Sequence, residues 1–402
     1  MEELMVRYVH LTSEGEARDL LKGLGADPYG IQAMLPKMIH VNIFLEGLEC
    51  KVANIIKQEM LSLGGDAAVA RGTVACSIPR TDVVLMGTFK QVQRFTEKIA
   101  SQPFGLKRIS HRVREVLKNI FAESVSVRTA RRELQIGRKT LIMGILNCTL
   151  DSFSDGGSFA SPERAVGEGL RMAEEGADII DIGGESTRPG SDPVPADEEL
   201  RRVIPVIREI SGRIDLPLSI DTMKAVVARE ALANGAEIVN DVSAMTFDDS
   251  MAKVVAEAGA AVVLMHMRGR QKEMQKGDLP YRSLRGEIIA FLQGRIEKAG
   301  EGGIAPEQIM VDPGLGFGKT AADSMRLIRY LGEFKALGRP IVTGASRKSF
   351  IGAVTGGEPR ERVEGTAAAV TAAIMNGSRI IRVHDVATMK KVAAMADALN
   401  WA

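Results

Sequence analysis

Polar residues with the means to do chemistry close the apolar runs in the last two-thirds of this chain. The runs end on Asn147, on Asp181 with Glu185, on Asp221, on Asn240 with Asp241, on His266, on Asp312, on Ser346-Arg347-Lys348, and on Arg382 with His384. Carboxylates and amides at one mouth suit either a divalent metal or a ligand with a donor-rich edge. Asn147 offers an amide oxygen that could ligate a hard cation; alternatively it ties down the loop backbone behind it. The string ASRKSF, 345–350, puts Arg347 and Lys348 beside Ser349, which opens a helical pattern. A helix start with a hydroxyl and cations is an anion site.

Arg382 and His384 are two residues apart and therefore share one face of a strand. Two donors pointing together fit a diphosphate. A general-base role or simple core packing are the competing readings of His384. A pterin presents an amino group and ring N–H groups that a buried carboxylate accepts in pairs. Burying a carboxylate is costly unless it is fully paired, and an aminopyrimidinone edge supplies that pairing. Asp241 has a structural alternative, and His266, set in the apolar string MHM, is read as structural.

DPGLGFGKT, 312–320, looks like a phosphate-binding P-loop. That motif needs four residues between its first Gly and the GK pair, and Pro313 stands where the Gly should be. The glycines are read instead as a tight turn that carries Phe317 to the mouth. Two polar, turn-rich stretches, 147–159 and 185–197, are candidate lids that exclude water. Arg188, before Pro189-Gly190, suits a carboxylate or phosphate, or is an ordinary surface arginine.

These residues need elements to position them. Eight apolar, β-branched runs fall at 140–147, 177–183, 217–222, 238–243, 261–266, 309–314, 341–346 and 379–384. Continuous Val/Ile/Leu runs are strands buried on both faces. Helical patterns follow each run, among them 162–175, 198–210, 322–337 and 363–375. The alternation predicts an α/β fold, a (β/α)8 TIM barrel whose strand ends converge on one pocket.

The first 138 residues read differently. Strands are expected at 38–47 and 81–87, and helices at 14–24, 48–63 and 89–99, giving a small α/β domain of the split βαβ kind. The stretch 107–139 is basic. Acidic Glu115, Glu123 and Glu133 interleave, which favours a solvated helix and linker over a nucleic-acid arm. The domain boundary is placed at 135–139, giving 1–138 and 139–402.

Formal net charge of +1 and pI near 7.7 give no electrostatic footprint for nucleic acid. Aromatics make up 4% of the chain, too few for a base-stacking platform. Cys50, Cys76 and Cys148 form no CxxC pair, so a reducing cytoplasm is expected. No run has the length of a membrane span, and the first residues lack a signal-peptide core.

The strings MGILNCTLDSFSDGG, DIGGESTRPGS, SIDT, VNDVSA, LMHM, DPGLGFGK, GASRKSF and IIRVHDV stand in this order over about 140–400. Together they resemble the dihydropteroate synthase family of folate biosynthesis. The resemblance implies joining of 6-hydroxymethyl-7,8-dihydropterin diphosphate to 4-aminobenzoate, with Mg²⁺ as cofactor and a homodimer as assembly. It implies Asp221, Asn240, Met265, Asp312, Phe317 and Lys348 as pterin contacts. Asn147, Arg382 and His384 would take the diphosphate, Asn147 also the metal. Thr187, Arg188, Lys348 and Ser349 would take the aminobenzoate. Lys348, Arg382 and His384 would be catalytic, and Asp155 in the first loop is expected to help stabilise the cation left when the diphosphate departs. Cys148 and Leu150 depart from the family's usual Val and Pro, which loosens the first loop. A methyltransferase acting on methyltetrahydrofolate, or a non-catalytic pterin-binding barrel, are the alternatives. The methyltransferase would not need the SRK, RVH and TRPG strings.

Overall fold

The computed structural model describes residues 5–11, 13–148, 162–186, 192–269 and 281–401. The chain divides into two compact units, Met1–Asn119 and Ile120–Ala402. In the first, a three-stranded antiparallel sheet runs in the order His40–Glu49, Arg80–Thr88, Asp66–Val69. Helices Cys50–Ser62 and Phe89–Ile99 bury Ile56, Met60, Phe95 and Ile99 in its core, where Leu85 is also fully buried. Thr88 starts the second of these helices with a reciprocal capping box to Gln91. The basic helix Leu106–Ile120 turns Ser110, Val113 and Leu117 inward.

The second unit is the expected barrel. Its strands are Leu141–Asn147, Ile179–Gly183, Leu218–Asp221, Ala236–Asp241, Ala261–Met265, Ile309–Asp312, Val342–Thr343 and Ile380–Val383. Every neighbouring pair is parallel. A bridge between Val311 and Ile341, with Val311 N donating to Pro340 O at 3.0 Å, closes the ring.

Period-two alternation sorts the side chains. Ile142, Ile180, Ile182, Ile220, Val239, Leu264, Val311, Ile381 and Val383 face the helices. Met143, Ile179, Ile238, Val263, Met310, Val342 and Ile380 fill the barrel interior. Two residues further on, the same inward face carries Asp181, Asn240, Met265, Asp312 and Arg382. Burial of the apolar rings below thus fixes where the polar ones point.

The boundary differs from the expected 135–139. Residues 120–138 are not a linker: Val125–Arg128 and Glu133–Ile136 form an antiparallel hairpin. Its Val127 and Ile136 pack into the floor of the barrel with Met143, Ile179 and Met310. Buried Glu237 pins the hairpin, accepting from Thr129 Oγ1 at 2.6 Å and Arg132 Nε at 3.0 Å. The hairpin therefore belongs to the barrel unit.

Helix 322–337 also differs, splitting into Ala321–Arg329 and a 3-10 segment, Leu331–Leu337, which stops at left-handed Gly338. Among the described residues no helix is long and apolar enough to cross a membrane.

Candidate active site

The deepest part of the mouth is a charge network that strand eight closes. Arg382 Nε donates to Asp181 Oδ2 at 2.6 Å and Arg382 Nη2 to Asp221 Oδ2 at 2.7 Å. Asn240 Nδ2 donates to the same Asp181 oxygen at 3.0 Å. The remaining oxygens, Asp181 Oδ1 and Asp221 Oδ1, are buried without a hydrogen-bond partner among the described residues. Burial, reinforced by the charges of Asp181, Glu199 and Asp241 and opposed by Arg382, pushes Asp221 up to about 7. Burial alone would lower the Arg382 guanidinium. Asp181 and Asp221 outweigh it and raise its pKa.

A second group lines the adjacent wall. Asp312 Oδ1 accepts from Gly314 N at 2.7 Å, and burial raises this carboxyl against the pull of Lys348. Lys348 donates to Leu315 O, and its ammonium lies 4.6 Å from the Phe317 ring centroid. Burial pushes Lys348 down to about 8, with Asp312 opposing. A Cβ placed on Gly344 would sit 3.9 Å from both Lys348 Nζ and Arg382 Cβ, so strands seven and eight bring these two residues to one place. Met265 is the register partner of Asp312 on the neighbouring strand. Asp312, Lys348 and Arg382 thus share one mouth.

The rim holds Asn147, His384 and Ser349. Asn147 Oδ1 and Asp221 Oδ2 lie 4.0 and 3.8 Å from the Cβ position of Gly183, so both oxygens look onto one spot. Ser346 Oγ sits 2.9 Å from His384 Nδ1 and fixes the imidazole's orientation. Arg347 pairs with Asp385 through Nε at 3.1 Å and Nη2 at 2.5 Å. That pairing corrects the expectation that Arg347 serves the anion site beside Lys348. Ser349 opens the seven-residue helix Ser349–Thr355 and is exposed. Asp155, Thr187 and Arg188 lie outside the described residues.

Among the described residues no cluster of three or more His, Cys, Asp or Glu is arranged to hold a metal. Asn147 still fits one kind of ion. Mg²⁺ keeps several waters and is held by few protein oxygens plus substrate phosphates.

Two expectations resolve as structural. Asp241 caps the turn after its strand, accepting from Ser243 Oγ at 2.6 Å and Met245 N at 2.7 Å. His266 is buried edge-on against Phe291, ring centroids 4.9 Å apart. Three roles were not assigned from the sequence: Asp181 as the anchor of Arg382, Ser346 as the orienter of His384, and Lys319 as a buried partner of His266. Asp181 was readable as an inward strand-end carboxylate. The other two depend on contacts that no spacing encodes.

The model of the family described as "Pterin binding enzyme" matches residues 143–384. The dihydropteroate synthase of Synechocystis is 48% identical over 264 residues, 65% of this chain and 91% of that protein. A probable bifunctional folylpolyglutamate synthase/dihydropteroate synthase of Halobacterium salinarum is 42% identical over 371 residues. That match takes in 92% of this chain but 44% of the relative, so it extends well beyond the barrel. A solved dihydropteroate synthase of Xanthomonas albilineans with 4-aminobenzoic acid superposes with TM-score 0.64 at 45% identity, covering 69% of this chain and 99% of that one. With its strand-end carboxylates gathered in one mouth and the family match running through more than half its length, this chain belongs to the pterin-binding enzymes, with dihydropteroate synthases as its relatives.

Proposed function

We infer that the barrel unit is a dihydropteroate synthase, joining 6-hydroxymethyl-7,8-dihydropterin diphosphate to 4-aminobenzoate with release of diphosphate. The observation that carries this reading is the buried acceptor oxygen left open on Asp221, in the mouth that also holds Asn240 and Asp312. A buried carboxylate oxygen costs free energy until a donor reaches it. The amino and ring N–H groups of a pterin are such donors. Solved relatives holding 4-aminobenzoic acid and 7,8-dihydropteroate support the substrate classes.

In this reading Asp221, Asn240, Asp312 and Lys348 grip the pterin, with Met265 and Phe317 against its ring. Arg382, His384 and Asn147 face the diphosphate. The bond between the pterin methylene and the diphosphate oxygen breaks, and its electron pair leaves with the diphosphate. Arg382 and His384 neutralise the departing charge in a mouth where burial strengthens every charge interaction. The electron-rich ring and Asp155 stabilise the cationic methylene. The aminobenzoate nitrogen then supplies the lone pair for the new C–N bond and loses a proton. An aryl amine is already neutral near pH 7, so no strong base is required. Thr187, Arg188, Lys348 and Ser349 form the aminobenzoate side. Mg²⁺, when bound, adds charge neutralisation on the diphosphate, held by Asn147 and the phosphates themselves. The working assembly is a homodimer in the cytoplasm, which sedimentation of the purified chain checks.

The test is release of diphosphate by the full chain. It should require 4-aminobenzoate and fall on chelation of Mg²⁺. Turnover of methyltetrahydrofolate instead, or binding of pterin with no turnover, would overturn the reading.

A further inference from the structure

The lysine of the GFGK string does not reach the mouth as a phosphate ligand. Lys319 is 8% exposed and belongs to the loop after strand six that also carries Phe317. Its Nζ meets His266 Nδ1 at 2.9 Å, His266 O at 3.2 Å and Phe317 O at 3.0 Å. These partners come from two segments: the end of strand five and the loop that carries Phe317. The segments touch backbone to backbone. Gly314, at φ 70, would place a Cβ 2.0 Å from His266 O, and Gly318, at φ 65, one 2.5 Å from Arg268 O. Tyr281 adds a tether, donating to Gly318 O at 3.1 Å. The end of strand five is itself tied to the site, because His266 N donates to Asp312 O at 2.9 Å.

We propose that Lys319 is a positioning residue for the pterin slot, clamping the Phe317 loop to the end of strand five. The proposal rests on the reading of this slot as the pterin site. Burial, then the charge of Lys319, pushes the His266 imidazole down to about 3, so the ring is neutral and Nδ1 accepts from the ammonium. Burial pushes Lys319 itself down to about 7; Asp312 and Asp323 oppose this and Lys348 adds to it. The clamp fixes Phe317, and the Phe317 ring in turn lies against the Lys348 ammonium. Both are pterin contacts, and neither belongs to the diphosphate set.

Lys319→Met removes the clamp and keeps an apolar stem of similar length. We expect the KM for the dihydropterin diphosphate to rise about tenfold, the effect of one lost charge-assisted hydrogen bond. Lys348 also borders the aminobenzoate side, so the KM for 4-aminobenzoate should rise less than that for the pterin, and kcat should fall less than either affinity. Tyr281→Phe, which deletes the hydroxyl that tethers Gly318 and also meets Arg268, should shift the same KM by roughly two- to fivefold; it decides the matter if Lys319→Met does not fold. An unchanged pterin KM in the folded variants overturns the proposal, as does equal loss in kcat and both KM values. If the wild-type chain releases no diphosphate, the enzymatic reading fails instead. Calorimetric binding of 6-hydroxymethylpterin to wild type and variants then judges the clamp alone.

Discussion

Asp221→Asn should separate binding from stability, and in opposite directions. The side chain keeps its shape, and its amide oxygen can still accept from Arg382 Nη2, now 2.7 Å from Asp221 Oδ2. What changes is Oδ1, a buried acceptor, which becomes an NH₂ donor facing the donor edge of a pterin. Losing a charge-assisted hydrogen bond costs about 1.5–3 kcal/mol, so pterin affinity should fall roughly 10- to 150-fold. Stability should move the other way. The folded pKa of Asp221 is about 7, above an unfolded value near 3.9. The folded state therefore holds more protons, and this group's contribution falls as pH rises from about 4 to about 7. Above that range the ionised carboxylate is a net cost, because burial outweighs the attraction of Arg382, and asparagine removes that cost. The measurements are calorimetric titration with a pterin and thermal unfolding at pH 5.5 and 8. Relative to wild type, the variant should gain melting temperature at pH 8 and gain less at pH 5.5. A variant that is less stable at pH 8, or that binds pterin as tightly as wild type, would refute the reasoning.

Two further outcomes follow from the same geometry. kcat/KM for the dihydropterin diphosphate should rise with pH as Asp221 ionises through about 7 and fall as Lys348 loses its proton through about 8. The acidic limb should vanish in Asp221→Asn; a flat wild-type profile between pH 5.5 and 9.5 would contradict both assignments. Arg132→Met should cost about 3–5 kcal/mol in denaturant unfolding, because it strands the buried Glu237 carboxylate, while kcat/KM at low temperature is unchanged. A loss under about 1 kcal/mol would show that Glu237 does not depend on this partner.

The barrel was legible because its strands are buried on both faces. Runs such as LIMGILN and AVVLM have no reason to be continuously apolar outside a covered parallel sheet. Reading Asn147, Asp221, Asn240, Asp312 and Arg382 as one site needed only the rule that parallel strands end together. Arg347 misled because its charge and position suit an anion. Its commitment to Asp385, 38 residues away in sequence, is a tertiary contact. The first unit hid more. Its strand Asp66–Val69 is four residues long and directly follows Gly64-Gly65, which reads as a turn. The hairpin at 125–136 escaped for a related reason: its strands are also four residues long, and their charged residues read as linker.

Because that hairpin is the barrel's floor, the position of any truncation matters. A chain begun at Thr140 would open Met143, Ile179, Met310 and Ile380 to water and strip Glu237 of both Thr129 and Arg132. One begun at Ile120 keeps the cork in place. Inactivity of the shorter piece would therefore report a barrel unstoppered from below, and would say nothing about what the preceding unit contributes.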